Sequence, residues 1–265
     1  MDPPEPTAPG AYDPTALYIA LYGHPGSRVL GVLGERSPSG SASFARQLAA
    51  GYQGFGRPGV PCCELIGSVA AANAGGDGDY SNEFPVSKFQ PWIDVAAANG
   101  FHVVVDLQSG RARFPDQARE YVDVIAQPNV SLALDPEWRG DPPFRPGGGR
   151  IGTVDAAEVN ETIDWLDDLI RARGLPRKML ILHQFTPSMI TNKRLIRGTQ
   201  RVQVVFHMDG FGTLPLKQAS FDRMLTDLPD GAVVGWKNFF DEDRPTPTAA
   251  QTMAVRPAPV FVSYQ

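Results

Sequence analysis

"VSLALDPEW", residues 130–138, decides how the chain is read. An apolar run ends in an acid, a proline and a second acid. Strand alternation puts Ser131, Ala133, Asp135 and Glu137 on one side and Leu132 and Leu134 on the other. One face is therefore small and acidic, the other leucine. That is the pattern of a barrel stave, whose inward side chains fill or line an enclosed space while the outward ones pack under helices.

Seven further strand-length apolar runs lie at 17–22, 62–69, 102–107, 179–183, 202–208, 232–237 and 260–264. Between them the spacing predicts helices at 44–50, 89–98, 116–126, 156–173, 189–197, 220–228 and 248–253. The longest has start and stop signals: Asp155 to cap it, Glu158 to reach back, and Gly174 to end it. Strands and helices that alternate without a second sequence regime predict a (β/α)8 TIM-like barrel, an α/β fold forming a single domain over residues 15–265. A doubly wound open sheet is the competing arrangement, but it favours near-continuous Val/Ile strands, whereas the inward positions here are often small or polar.

A hydrophobic fraction of 42% and a charged fraction of 20% are enough for an ordinary globular core. A net charge of −5 with no basic run argues against nucleic acid as a partner. The adjacent Cys62 and Cys63 read as buried free thiols, since a disulfide between neighbours is strained. The opening "MDPPEPTAPGAYDP", residues 1–14, reads as a Pro-rich tether between a removed export signal or lipid anchor and the folded domain. The expected location is thus extracellular or at the cell envelope, peripheral to the membrane, and the expected state is a monomer.

In such a barrel the loops after the strands' C-terminal ends build the site. Polar residues at those ends are Tyr22 and His24, Glu64, Asp106 and Gln108, Asp135 and Glu137, His183 and Gln184, His207 and Asp209, Trp236, Lys237, Asn238 and Asp241, and Tyr264. Asp106/Gln108, Asp135/Glu137 and His207/Asp209 are each spaced by two, so each pair points one way. A lone acid at a strand end is ordinarily a helix cap or a lysine's partner. Polar ends on every strand are harder to assign to structure, because burying ionisable groups together is costly unless they pair or serve a function. His102 starts its strand and so belongs to the structural end. Alternation turns Phe206, Met208 and Trp236 toward the helices, with Trp236 and Trp138 also open as ligand-stacking surfaces.

Glycosidic cleavage needs a proton donor and a second carboxylate, and clustered acids raise a carboxyl's pKa. Glu137 is the expected acid, Asp135 its orienting neighbour, and Asp209 or Asp106 the nucleophile or base, with no metal and no cofactor. The other strand-end residues would bind a carbohydrate or other small-molecule substrate.

"LALDPEW" resembles the fourth-strand D-x-E ending of several barrel glycoside hydrolases, including the chitinase-like group. The resemblance implies that Glu137 is the acid and Asp135 its partner. The longer D-x-x-D-x-D-x-E pattern is absent, because Ala133 stands two before Asp135, and this argues against substrate-assisted catalysis. With "YGHPGSRVLGVLGE" and "VGWKNFFDED", the chain also resembles predicted exported or lipid-anchored actinobacterial proteins, a family that implies no particular activity.

Three other readings fit the same residues. His24, His183, His207, Asp106 and Asp209 could ligate a metal in a hydrolase or phosphodiesterase, with Arg28, Arg111 or Lys237 receiving a phosphate. Lys237 could form a Schiff base. The barrel could also bind a glycan without cutting it.

Overall fold

The computed structural model describes residues 8–265. Its main strands are β1 (Leu17–Gly23), β2 (Gly59–Ala70), β3 (His102–Leu107), β4 (Val130–Leu134), β5 (Lys178–Gln184), β6 (Val202–Met208), β7 (Val233–Asn238) and β8 (Phe261–Tyr264). Each pairs in parallel with its neighbours in the sequence, and β1 pairs with both β2 and β8, so the ring closes. The fold is the expected single-domain (β/α)8 barrel. A short strand, Ser81–Glu83, adds antiparallel to the end of β2.

Alternation builds two concentric cores. Leu17, Ile19 and Leu21 of β1 face outward into a layer shared with the helices, while Tyr18 and Ala20 face inward with Cys62, Val104, Ala133, Ile181, Val205 and Phe261. Both cysteines are buried free thiols, one in each layer. The helices are α1 (Pro38–Ala50), α2 (Gln90–Ala98), α3 (Phe114–Glu120), α4 (Val122–Ile125), α5 (Ala156–Arg173), α6 (Leu214–Met224) and α7 (Ala249–Ala254).

Two helical expectations fail for local reasons. The helix expected at 116–126 is split at Tyr121, whose hydroxyl donates to the Gly67 carbonyl at 2.8 Å and ties the turn to β2. No α-helix forms at 189–197. Pro187–Met189 and Lys193–Leu195 are single 3-10 turns, Ile190–Thr191 pairs with Val154–Asp155, and Asn192 is left-handed at φ 53°. The β-branched pair and the left-handed residue interrupt the helical backbone, and the Asp155 carboxylate accepts from both Thr191 and Asn192 side chains at 2.7 Å. In α5, Asp155 caps as expected and Gly174 ends the helix at φ 60°. Glu158 does not reach back, because Arg139 and the Phe114 amide occupy its carboxylate.

The end of the barrel where strands begin is closed by the chain that precedes β1. Of the stretch read as a tether, residues 1–7 lie outside the described residues, and residues 8–14 pack beneath the barrel. Tyr12 is buried and stacks on Tyr18, and the Gly10 carbonyl meets His102 Nδ1 at 2.8 Å. His102 Nε2 meets Ser131 Oγ at 2.8 Å. As expected, His102 sits at the structural end, and burial depresses its pKa to about 3, so the ring is neutral.

Candidate functional site

At the opposite end of the barrel, a cavity of about 390 Å³ is lined by Tyr22, Gln108, Asp135, Glu137, Trp138, Asp209 and Lys237 among the residues expected there. Each spaced pair of strand-end residues points inward, and the members differ in depth: Gln108, Asp135, Glu137 and Asp209 reach the cavity, whereas Asp106 and His207 lie beneath it.

The ending of β4 has a local structural explanation. Asp135 Oδ1 accepts from the Glu137 amide at 3.2 Å and caps the 3-10 turn Pro136–Trp138, the ordinary job of an acid at a strand end. The same turn presents Glu137 to the cavity. Behind it, buried Arg139 donates to both Glu158 oxygens at 2.9 Å, and the Gly152 amide donates to the Glu137 carbonyl at 2.7 Å. The acid therefore stands on a backbone held from two sides.

Beneath the cavity, His183 is clamped between carboxylates. Its Nε2 donates to Glu64 Oε1 at 2.9 Å, its Nδ1 donates to Asp209 Oδ2 at 3.0 Å, and Asp106 Oδ1 lies 3.9 Å from Nε2. Burial alone would strip this ring of its proton. Glu64 and Asp106, with the two hydrogen bonds, outweigh burial and hold the His183 pKa well above its usual value. Tyr22 donates from its hydroxyl to Asp106 Oδ2 at 3.1 Å, and Gln108 donates to that hydroxyl at 3.5 Å. One oxygen each of Glu64, Asp106 and Asp209 has no hydrogen-bond partner.

His207 lies edge-on below His183, the ring centroids 5.1 Å apart, with Nε2 on Ser263 Oγ at 2.7 Å. Burial, reinforced by the positive His183, holds its pKa well down, so it is neutral. The ring fits because residue 235 is glycine: a Cβ there would stand 2.4 Å from His207 Nδ1.

Three of the acids hold protons unusually well. Burial, with Asp209 adding to it, lifts Glu137 to about 7 against the pull of Lys237 and His183. Burial also lifts Asp106 to about 6 and carries Asp135 well above its ordinary range, Asp106 adding to the latter. A group that keeps its proton near neutrality beside a fixed carboxylate can act as a general acid.

Several expected residues are elsewhere. Trp236 and Asn238 flank the inward Lys237 and so point outward, Trp236 Nε1 donating to Asn238 Oδ1 at 2.8 Å and Asn238 donating to Thr252 at 3.1 Å. Tyr264 also faces out, its hydroxyl 2.7 Å from that of Tyr52. Gln184 turns to the Thr186 carbonyl and Lys193. Asp241 is exposed on the surface, and the buried acid of that loop is Asp243, paired with Lys217 at 2.5 Å. His24 packs on Phe84 at 4.2 Å, its Nδ1 accepting from the Gly26 amide, and does not line the cavity.

The five residues offered as a metal set do not form one. Both nitrogens of His183 are committed to carboxylates, and the only convergent His/Cys/Asp/Glu group among the described residues is Asp77, Asp79 and Glu83 in the loop after β2. Sequence reasoning missed Leu30, Ile66, Phe185, Ser220 and Gln265, which also line the cavity. Leu30 carried one signal, an apolar residue in the loop after the first strand. Ile66 carried one as well, since it stands two after the inward Glu64 and four after the inward Cys62, and the bulge that breaks the alternation of β2 comes only between Ile66 and Ser68.

Fold and site define a TIM barrel whose C-terminal mouth holds a carboxylate cluster around a cationic histidine. No family model and no curated protein matches the chain. Among solved structures, dihydropteroate synthase from Anaplasma phagocytophilum with bound 6-hydroxymethylpterin-monophosphate is similar over 94% of this chain and 93% of that one, at 14% identity and a TM-score of 0.33. A likeness that distant carries no argument about the site, and the fold assignment rests on the closed strand order.

Proposed function

We propose that the protein is a hydrolase that cleaves glycosidic bonds, with Glu137 as proton donor and Asp209 as the second carboxylate, acting on a cell-wall or extracellular polysaccharide. The observation that carries this reading is Glu137 itself: half-buried at the cavity, it holds its proton to about pH 7 through burial and the charge of Asp209. His183 fixes one Asp209 oxygen at 3.0 Å and leaves Oδ1 without a partner. Asp106, the other candidate, spends an oxygen on Tyr22 below the cavity, so Asp209 is preferred. Trp138, Phe239 and the exposed Phe211 provide aromatic surface on which sugar rings stack.

The test is a panel of bacterial cell-wall glycans and aryl glycosides incubated with wild type and Glu137→Gln. The expected loss in the variant is about 10²–10⁴-fold in kcat, the usual contribution of general acid catalysis. Wild-type activity should fall as pH rises through about 7, where Glu137 gives up its proton. Equal rates for the two proteins, or activity abolished by a chelator, would overturn the assignment.

A further inference from the structure

Among the described residues four lysines are buried: Lys178, Lys193, Lys217 and Lys237. Three are held by two acceptors each. Lys178 donates to the Gln127 and Val130 carbonyls at 2.8 and 2.6 Å, and Lys193 to Gln184 Oε1 and the Met224 carbonyl at 3.3 and 2.6 Å. Lys217 donates to the Lys237 carbonyl and Asp243 at 2.7 and 2.5 Å. Lys237, only 4% exposed, has no hydrogen-bond or ion-pair partner among the described residues. Its ammonium rests 3.6 Å from the centre of the Tyr22 ring and 5.2 Å from that of Phe239, and the residue lines the cavity.

A buried ammonium with three unmade hydrogen bonds is costly, and ring faces offset only part of that. The neighbouring acids act on it only from a distance. Asp106 gives one oxygen to Tyr22 and Asp209 one to His183, the other oxygen of each makes no hydrogen bond, and among the described residues no carboxylate lies within salt-bridge distance of Lys237. What is missing is an acceptor that enters from the cavity and carries negative charge. We infer that Lys237 receives a carboxylate of the substrate, so that the sugar bound beside Glu137 is a sugar acid. Gln265, which follows β8 beside β7 and lines the same cavity, has a side-chain amide with no partner among the described residues and offers a second donor. A protonated Glu137 and Asp135 spare the incoming anion their repulsion.

This inference rests on the glycosidase reading for its chemistry but not for its binding, so the two are tested apart. Binding is measured by calorimetry on Glu137→Gln with glucuronic and galacturonic acid oligosaccharides and with the matching neutral glucose and galactose oligosaccharides. Cleavage is measured on wild type with the aryl glycosides of the same four sugars, in both anomers. The acids should bind at least about tenfold more tightly than their neutral counterparts, the effect of one charge-assisted hydrogen bond. Adding Lys237→Met should remove that preference, and Lys237→Arg, which keeps the charge, should restore part of it and guards against misfolding of the methionine variant. Neutral sugars binding as tightly as the acids, no binding of the acids, or a preference indifferent to Lys237→Met would overturn the inference. Cleavage of neutral glycosides alone would overturn it and leave the hydrolase standing, while Lys237-dependent binding of sugar acids without cleavage of any glycoside would do the reverse.

Discussion

The two ends of the barrel put the same side chain to opposite uses. At the closed end, His102 sits among a carbonyl, a hydroxyl and the rings of Tyr12 and Tyr18, and burial drives it neutral. At the open end, His183 is as deeply buried but faces Glu64, Asp106 and Asp209, and their charge reverses the effect of burial. Burial therefore does not set a histidine's charge; the neighbours that share its dry environment do.

The largest way to break this contrast is at His183. His183→Phe leaves Glu64 and Asp209 buried without their cation, and the expected loss is roughly 3–5 kcal/mol in denaturant unfolding. At the closed end His102→Leu removes a neutral ring and strands only the Gly10 carbonyl and Ser131 hydroxyl, at about 1–3 kcal/mol. If the two losses were equal, the charge distinction would be wrong. Gly235→Ala drives a methyl into His207 between the two ends, and an overpacking loss of roughly 1–3 kcal/mol is expected by thermal melts.

Taken per pH unit, the effects of titration are the smallest, and their signs are opposite. His102 has a folded pKa of about 3, below its unfolded value, so its contribution is present at neutral pH and lost as pH falls from about 6.5 toward 3. His102→Gln should flatten that acid limb by up to about 1.4 kcal/mol per pH unit. Glu137 has a folded pKa of about 7, above its unfolded value, so the folded state holds the extra proton and loses stability as pH rises from about 4.5 to 7. Glu137→Gln should remove that decline, and unfolding midpoints measured from pH 3 to 8 check both limbs.

The barrel was legible because its signal repeats: eight runs with small or polar residues facing in and large apolar ones facing out. The helix at 189–197 was misread because composition alone does not register a left-handed Asn192 or side chains captured by Asp155. At the site, residues in the right alternation phase were found, Glu137, Asp135, Asp209, Lys237 and His183 among them. The errors at Trp236, Asn238, Gln184 and Tyr264 came from collecting every polar residue near a strand end. Since Lys237 and His183 face in, alternation already turned Trp236, Asn238 and Gln184 out. What alternation cannot give is depth, which separates Asp209 in the cavity from Asp106 below it.

The grip of Arg139 on Glu158 bears on how this protein could diversify. The ends of the segment 140–151 are pinned where the Gly152 and Thr153 amides return to the Glu137 and Arg139 carbonyls, at 2.7 Å each. Within the excursion Phe144 and Pro146 are buried and Arg111 Nε donates to the Phe144 carbonyl at 2.7 Å, so what is left free to drift in length and composition is the exposed glycine turn at 147–150, while Glu137 stays where it is.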